Sequence, residues 1–503
     1  MDKLRYLITL FNNNKKGTNY ITDITFILLV CFCSFLIWYL AIGYALIDQP
    51  FIWDDLHQIR SYNLQEILNA WVGTFDPDNV ETPGYRPIYV LFYHFLGHIF
   101  KENTFYLRIF IFLMSLSLIV LANISLLKIG FTRIGLAIFS VLIIFSKIFT
   151  TLVSAMFLSA LIFCYISVFI SLIFFLLWLE NGKFKNYFLS LLFAFIGIFT
   201  REELYILPGF IFLFSLCLQG EIHRKIKKKI YGCIPIALLV LLHMFLRKIF
   251  VLEPEQFQLN YYSVFLESNF FFGGDNDISF VNLLKAFKAS FLPMGYFSTR
   301  YSDTYQIFIS VFWISLVLLI SILNFINRKK IFLNLFRIII FILLIAWLSL
   351  PNIAIARSFG IFLPSVFGVG TICLLIINLF DLIFYNKLQF LKKVFYMSSI
   401  FLLICTGVIG GYIRSNQQIN SMNLYSVYIV NYDSIFVYQY PKDGFKISIP
   451  KKRLKKKLEH LASINIEMDS LHKFPDYLDT ETIDEYKKFS DKIFLPKYHP
   501  MEF

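Results

Sequence analysis

The chain has 503 residues, of which 58% are hydrophobic, 19% aromatic and 16% charged, with a net charge of +13 and a mean hydropathy of +0.67. A soluble domain carries roughly 25% charged and roughly 45–50% apolar residues, so this balance excludes a soluble globular enzyme and indicates an integral membrane protein. In such a chain the placement of the cations matters more than their sum, and the excess does not call for nucleic acid.

A helix needs ~20 apolar residues to cross ~30 Å of hydrocarbon, whereas barrel strands alternate over ~10 residues. The runs here are long and continuous, and predict helices near 24–46, 108–127, 134–149, 152–178, 187–200, 204–219, 231–250, 305–326, 332–350, 358–378 and 394–413. The expected fold is an all-α polytopic membrane protein with about eleven transmembrane helices over 24–413, after an N-terminus at 1–23 and before a C-terminal region at 414–503.

Sidedness follows from the Lys/Arg bias of short loops. With a cytoplasmic N-terminus, the inner segments 1–22, 127–134, 180–187, 219–231, 327–337 and 379–393 hold 20 cations in 77 residues. The outer segments 47–108, 147–151, 199–203, 247–304 and 351–357 hold 12 in 137. His223–Lys229 (HRKIKKK) and Arg328–Lys330 are the firmest inner anchors. An odd number of spans then puts 414–503 outside as a small extracytoplasmic region, nearly neutral with 14 cations and 12 acids. Within it, Val427–Tyr440 alternates as one or two strands and Leu454–Leu461 reads as a short amphipathic helix, with Lys451–Lys457 as a solvated face. All seven cysteines fall in or beside apolar runs, so no disulfide framework is implied.

The chemistry-capable residues crowd into the first outside loop, 47–107, which holds eight acids. Phe51-Ile-Trp-Asp-Asp-Leu-His57 sets Asp54 and Asp55 just beyond the bilayer surface, after an apolar segment suited to the interface. Adjacent carboxylates do not both face one pocket without cost, so one faces a reaction while the other binds backbone, a cation or a metal. Further on, Thr82-Pro-Gly-Tyr-Arg-Pro-Ile-Tyr-Val90 turns at Pro83-Gly84 and opens a helix at Pro87 too short to span, suited to lying on the outer surface. In the fourth outside loop, 251–304, Asn282–Phe291 reads as a second interfacial helix and the loop as a lid. His94 and His98 have a metal-compatible spacing without the zinc-protease Glu, and Gly273-Gly-Asp-Asn-Asp277 is shorter than a calcium-binding hand.

An Asp-Asp pair in the first outside loop followed by Tyr-Arg-Pro resembles the GT-C superfamily of polyprenol-dependent glycosyltransferases, in particular its protein O-mannosyltransferase-like branch. Phe199-Thr-Arg-Glu-Glu-Leu-Tyr-Ile-Leu-Pro208 and Ile355-Ala-Arg-Ser-Phe-Gly-Ile-Phe-Leu-Pro364 resemble two further motifs of that branch. Two places depart from it: Ser146–Ser154 contains no acid or His, and Ala356 stands where an acid precedes the late Arg.

The resemblance implies transfer of a sugar from a polyprenyl-phosphate-linked donor to a glycan, lipid or protein acceptor. It places the enzyme in the bacterial cytoplasmic membrane, with its active site facing outward. It implies Asp54 or Asp55 as the base, and cations at the outer ends of spans for the donor phosphate. Those cations are Arg86, Arg201, Arg357 and Arg247. Arg247 and its neighbour Lys248 also suit plain snorkelling to the interface. His57, Glu202 and Glu203 are the acceptor-side candidates, with an Arg201–Glu203 pair within the motif as the alternative. No cofactor is required, and a divalent metal at the carboxylates is compatible. Two other functions fit a multi-span chain: an O-antigen-type polymerase, which typically relies on Arg-rich outer loops, and a lipid-linked-sugar flippase. A transporter places ionisable groups at mid-membrane, whereas the span interiors here hold almost none, His243 being the clearest exception.

Overall fold

Uninterrupted Leu, Ile and Phe runs leave no side chain to serve the backbone, and helix is the form in which a lipid-facing segment satisfies its own amides. The computed structural model describes residues 20–47, 59, 61–73, 84–100, 103–218, 226–251, 289–292, 304–326, 332–350, 362–385, 390–424, 428–429 and 435–436. The first half contains α1 (Tyr20–Ala41), α2 (Leu64–Val72), α3 (Pro87–Phe100), α4 (Thr104–Lys128), α5 (Arg133–Ile144), α6 (Lys147–Ser154), α7 (Ser159–Asn181) and α8 (Phe184–Thr200). After a 3₁₀ turn at Glu202–Ile206 come α9 (Leu207–Leu216), α10 (Ile226–Phe250), α11 (Thr304–Ile326), α12 (Phe332–Ser349), α13 (Phe362–Tyr385) and α14 (Phe390–Leu424). Two short strands, β1 (Tyr428–Ile429) and β2 (Ile435–Phe436), pair antiparallel inside the stretch that alternates in sequence.

Among the described residues, six stretches are long and apolar enough to cross a membrane: Thr22–Ala41, Phe105–Lys128, Met156–Asn181, Ile226–Phe250, Phe362–Phe380 and Leu391–Asn416. A seventh crossing results if the bent pair α5 and α6 is one span. The other expected spans contain helices too, α8, α9, α11 and α12, of which the first two are shorter than ~20 residues. The 204–219 run yields only the 10-residue α9, about 15 Å long, and 187–200 becomes the 17-residue α8. The apolar surface supports membrane residence. Leu29, Phe32, Leu36 and Leu40 of α1 and Leu238, Leu242, Phe245 and Ile249 of α10 are exposed in rows, a pattern that soluble monomers avoid.

The expected span at 134–149 breaks. Ser146 donates its hydroxyl to the Ile143 carbonyl and accepts from the Phe149 amide, ending one helix and capping the next. The axis turns by 57°, and what was expected as the second outside loop, Ser146–Ser154, is a helix buried from Ile148 onward. Gly411 of α14 packs on this break so closely that a Cβ there would lie 2.2 Å from the Phe145 carbonyl oxygen.

Polar contacts gather the helix ends into two groups. At one end Arg133 pairs with Asp23 at 2.6 Å, Lys128 pairs with Glu180 at 2.9 Å, and Lys228 Nζ donates to the Trp178 carbonyl at 3.1 Å. At the other end Trp38 Nε1 donates to Thr150 and Thr150 to Ser415, while Arg108 donates to the Val153 and Ser154 carbonyls. The first group is drawn from or borders the short Lys/Arg-rich segments, and the second holds the end of the bundle to which Tyr85 and Arg86 belong. Between them, Trp38 packs against Phe112 and Phe149. Asn123, Ser140 and Cys31 tie α4, α5 and α1 together, the interhelical polar bonding that supplements packing where lipid removes the hydrophobic drive.

Candidate active site

Pro87 starts α3 and leaves Tyr85 and Arg86 as its lead-in, while α8 ends at Thr200 and is followed by Arg201-Glu-Glu203 in a tight turn before α9. These two segments meet. Glu202 accepts from Arg86 Nε at 2.5 Å and from the Tyr85 amide at 2.9 Å, a contact between residues 116 apart in sequence for the Arg86 pair. Arg201 pairs with Glu203 at 2.8 Å, as the alternative within the motif anticipates. The second oxygen of Glu203, Oε2, is buried and receives no hydrogen bond from the described residues. Arg86 also lies over the Tyr89 ring at 5.9 Å.

α10 contributes the third wall. His243 is fully buried and bonds through Nε2 to the Tyr85 carbonyl at 2.9 Å and through Nδ1 to the Tyr205 hydroxyl at 2.6 Å. A carbonyl only accepts, so Nε2 carries the proton, and the neutral ring then accepts from Tyr205 through Nδ1. The bonds form one series: Tyr205 O–H to His243, His243 N–H to the Tyr85 carbonyl, and the Tyr85 N–H to Glu202. Phe199 meets the His243 ring edge-on at 4.8 Å between centroids, and Arg247, one helical turn on, lies within electrostatic range of Glu202.

Burial works to raise the Glu202 carboxyl, but the charges of Arg86 and Arg247 and the hydrogen bond from Arg86 outweigh it and hold the group below its ordinary range. Burial likewise works to lower the Arg86 guanidinium, and Glu202 outweighs that and raises it. Burial raises the Tyr205 phenol, so it remains a donor. The turn therefore presents fixed guanidinium charges and an ionised carboxylate in a partly dry setting, where charge–charge interactions exceed their value in water.

Of the candidates named from sequence, Arg86, Arg201, Glu202, Glu203 and Arg247 are thus gathered at one end of the bundle. Asp54, Asp55, His57 and Arg357 lie outside the described residues, as do Gly273–Asp277, most of Asn282–Phe291 and Lys451–Lys457. Sequence reading missed Tyr85 and Tyr205 as partners of this site, and the signal available for both was their place inside the two quoted motifs. His94 accepts the Tyr62 amide at Nδ1, 3.0 Å away, and the described residues contain no group of three or more His, Cys, Asp or Glu able to hold a metal.

No family model matches the chain, and no curated protein matches it. Among solved structures it is similar to the archaeal oligosaccharyltransferase AglB from Archaeoglobus fulgidus, solved in complex with an inhibitory peptide and a dolichol-phosphate. That likeness has a TM-score of 0.42 and 12% identity, over 78% of this chain and 56% of that one. Similar too are the A. fulgidus oligosaccharyltransferase in its apo form (TM-score 0.40, 12% identity, 78% and 56% covered) and the same enzyme tethered to an acceptor peptide (0.44, 13%, 78% and 55%). The chain spans just over half the length of these solved chains.

Proposed function

We propose that this protein is a membrane glycosyltransferase of the GT-C kind, moving a sugar from a polyprenyl-phosphate-linked donor to an acceptor on the outer face of the membrane. The observation that carries the reading is the Arg86–Glu202 contact. It joins the Tyr-Arg-Pro segment of the first loop to the Arg-Glu-Glu turn, so that two motifs quoted for the resemblance occupy one place. In this reading Asp54 or Asp55 takes the proton of the acceptor hydroxyl as its oxygen attacks the anomeric carbon. The bond from that carbon to the phosphate oxygen breaks, and the phosphate leaves with the electron pair. Arg86, Arg201, Arg247 and Arg357 oppose the negative charge that develops there. Glu202 holds Arg86 in place, and Glu203, paired with Arg201, stands on the acceptor side.

The test is made in cells. Deleting the protein accumulates a polyprenyl-linked sugar and removes one sugar from a surface glycan, glycolipid or glycoprotein. Wild-type protein restores both pools, whereas the Asp54→Asn/Asp55→Asn double variant, present in the membrane at wild-type level, restores neither. Full restoration by the double variant, or unchanged pools on deletion, refutes the proposal, and loss of a whole ladder of repeats assigns the chain to polymerisation instead.

A further inference from the structure

Arg86, Arg201 and Arg247 reach the site on three different segments. Arg86 lies in the lead-in to α3, Arg201 stands just before the 3₁₀ turn, and Arg247 is on α10. One side chain bonds across all three. His243 of α10 donates from Nε2 to the carbonyl of Tyr85, the residue before Arg86, and accepts at Nδ1 from Tyr205, in the turn that follows Arg201. Arg247 stands one helical turn beyond His243 on the same helix.

The lead-in depends on such a tie. Pro87 disfavours helical backbone at Arg86, and α3 takes the Arg86 carbonyl for its first bond, from the Val90 amide at 3.3 Å. The polar groups of Tyr85 are met by other segments: Glu202 accepts its N–H, and His243 donates to its carbonyl. That carbonyl belongs to the peptide unit from which Arg86 springs. Its direction therefore sets the base of the Arg86 side chain, while Glu202 holds the guanidinium. His243 is itself fixed. The ring is fully buried, edge-on to Phe199 at 4.8 Å and 5.2 Å from the Tyr85 ring. It lies before the end of α10 at Phe250 by about 10 Å, and Ile234–Leu246 is otherwise apolar. A polar ring at that depth is costly unless its nitrogens are bonded. An apolar side chain would fill the same space without directing the Tyr85 carbonyl.

We propose that His243 is a positioning residue of the transfer reaction: by holding the Tyr85 carbonyl and the Tyr205 hydroxyl it sets the mutual placement of Arg86, Arg201 and Arg247. The inference rests on the transferase reading above. His243 touches neither donor nor acceptor, and its effect passes through the arginines. Guanidinium groups already in place when charge develops on the leaving group need no reorganisation, and a small misplacement of such groups costs rate.

The test splits the two bonds with two amides. In His243→Gln the amide reaches the place of Nε2 and keeps a donor for the Tyr85 carbonyl, whereas in His243→Asn it reaches only the place of Nδ1 and keeps an acceptor for Tyr205. Full-length protein with isotope-labelled arginine is studied by NMR in phosphatidylcholine nanodiscs. The Arg86 Nε–H resonance, identified by its loss in Arg86→Lys, is followed together with the thermal midpoint. The same variants are returned to cells lacking the protein, and clearance of the accumulated polyprenyl-linked sugar is measured per folded protein in the membrane. His243→Gln is expected to keep the resonance and to work within about threefold of the wild type, while His243→Asn and His243→Phe shift or broaden it and work about tenfold or more slowly. If neither His243→Asn nor His243→Phe folds, Tyr205→Phe decides: it is expected to broaden the resonance and slow clearance about two- to threefold, and no change in either overturns the proposal. Clearance that follows the midpoint across all variants assigns His243 a structural role only and overturns it too. So does an unchanged resonance in His243→Asn and His243→Phe, or a lost resonance with full clearance. Pools that deletion leaves unchanged, or that the Asp54→Asn/Asp55→Asn variant restores, refute the transferase reading instead, and the resonance then still decides whether His243 places Arg86.

Discussion

Glu202 accepts a charge-assisted bond from Arg86 and a backbone bond from Tyr85, and the two ionic side chains are only 21% and 14% exposed. Removing one member of a buried pair leaves the other charged and unmatched at a cost of about 3–5 kcal/mol, and residual exposure here reduces that to about 2–3 kcal/mol for Glu202→Gln or Arg86→Gln. The Gln side chain still accepts the Tyr85 amide through its carbonyl oxygen, so the loss falls mainly on the ion pair. In the double variant neither charge is stranded, and its destabilisation is expected to fall short of the sum of the two single changes by about 1.5–2.5 kcal/mol. The assay is a double-mutant cycle on unfolding free energy in mixed micelles, with Glu202→Asp as a control that keeps the charge and shortens the reach. Additivity within about 0.5 kcal/mol would refute the reasoning, because it would mean that the Tyr-Arg-Pro segment and the Arg-Glu-Glu turn are not energetically joined.

The His243 series gives a second expectation: His243→Phe strands the Tyr85 carbonyl and the Tyr205 hydroxyl and costs about 2–4 kcal/mol, whereas Tyr205→Phe removes one bond and costs about 1 kcal/mol, both read in the same unfolding assay. The third concerns pH. The Glu202 carboxyl sits below its ordinary value of 4.5, so its contribution is complete above that value and is lost as pH falls through the folded-state value. The wild-type advantage over Glu202→Gln in thermal midpoint is therefore expected to shrink on acidification. Gly411→Ala would drive a methyl group to 2.2 Å from the Phe145 carbonyl oxygen and is expected to destabilise by at least about 1–3 kcal/mol, seen as a lower midpoint. Gly182, also small but with open space around it, adopts a positive φ of 71° at the α7 C-terminus, so Gly182→Asn should be tolerated within about 1 kcal/mol.

Hydropathy alone places the long spans because twenty apolar residues have few soluble alternatives, and α4, α7 and α10 fall where the runs predict. The break in 134–149 is a different matter. Ile143-Ile-Phe-Ser-Lys-Ile-Phe149 averages as apolar, and only the Ser-Lys pair marks the capped restart. At the candidate site, Arg86, Arg201, Glu202 and Glu203 are legible one at a time, from their place between apolar runs and from the motifs. The Arg201–Glu203 pair is local and follows from spacing, but the Arg86–Glu202 pair joins residues that only the packing of α3 against α8 brings together. His243 stands out in sequence as an ionisable residue inside a span, the exception among otherwise apolar span interiors. Its two hydrogen bonds to Tyr85 and Tyr205 give it a structural task that the apolar neighbours along α10 do not reveal.

The cations of this chain can be sorted by which end of a helix they meet. Arg108 donates to the Val153 and Ser154 carbonyls at the C-terminus of α6. Lys228 donates to the Trp178 and Leu179 carbonyls near the C-terminus of α7, and Lys229 to the Ser215 carbonyl at the end of α9. Each satisfies orphan carbonyls and opposes the negative end of a helix dipole, so its charge is used within the fold. Arg86 and Arg201 meet carboxylates in a turn, where the pairs hold guanidinium groups in position. Lys147 meets neither a carbonyl end nor a described carboxylate, and it sits at the positive end of α6. Helix polarity therefore separates cations that complete the backbone from one whose charge the described structure leaves uncompensated, a distinction that loop charge counts cannot make.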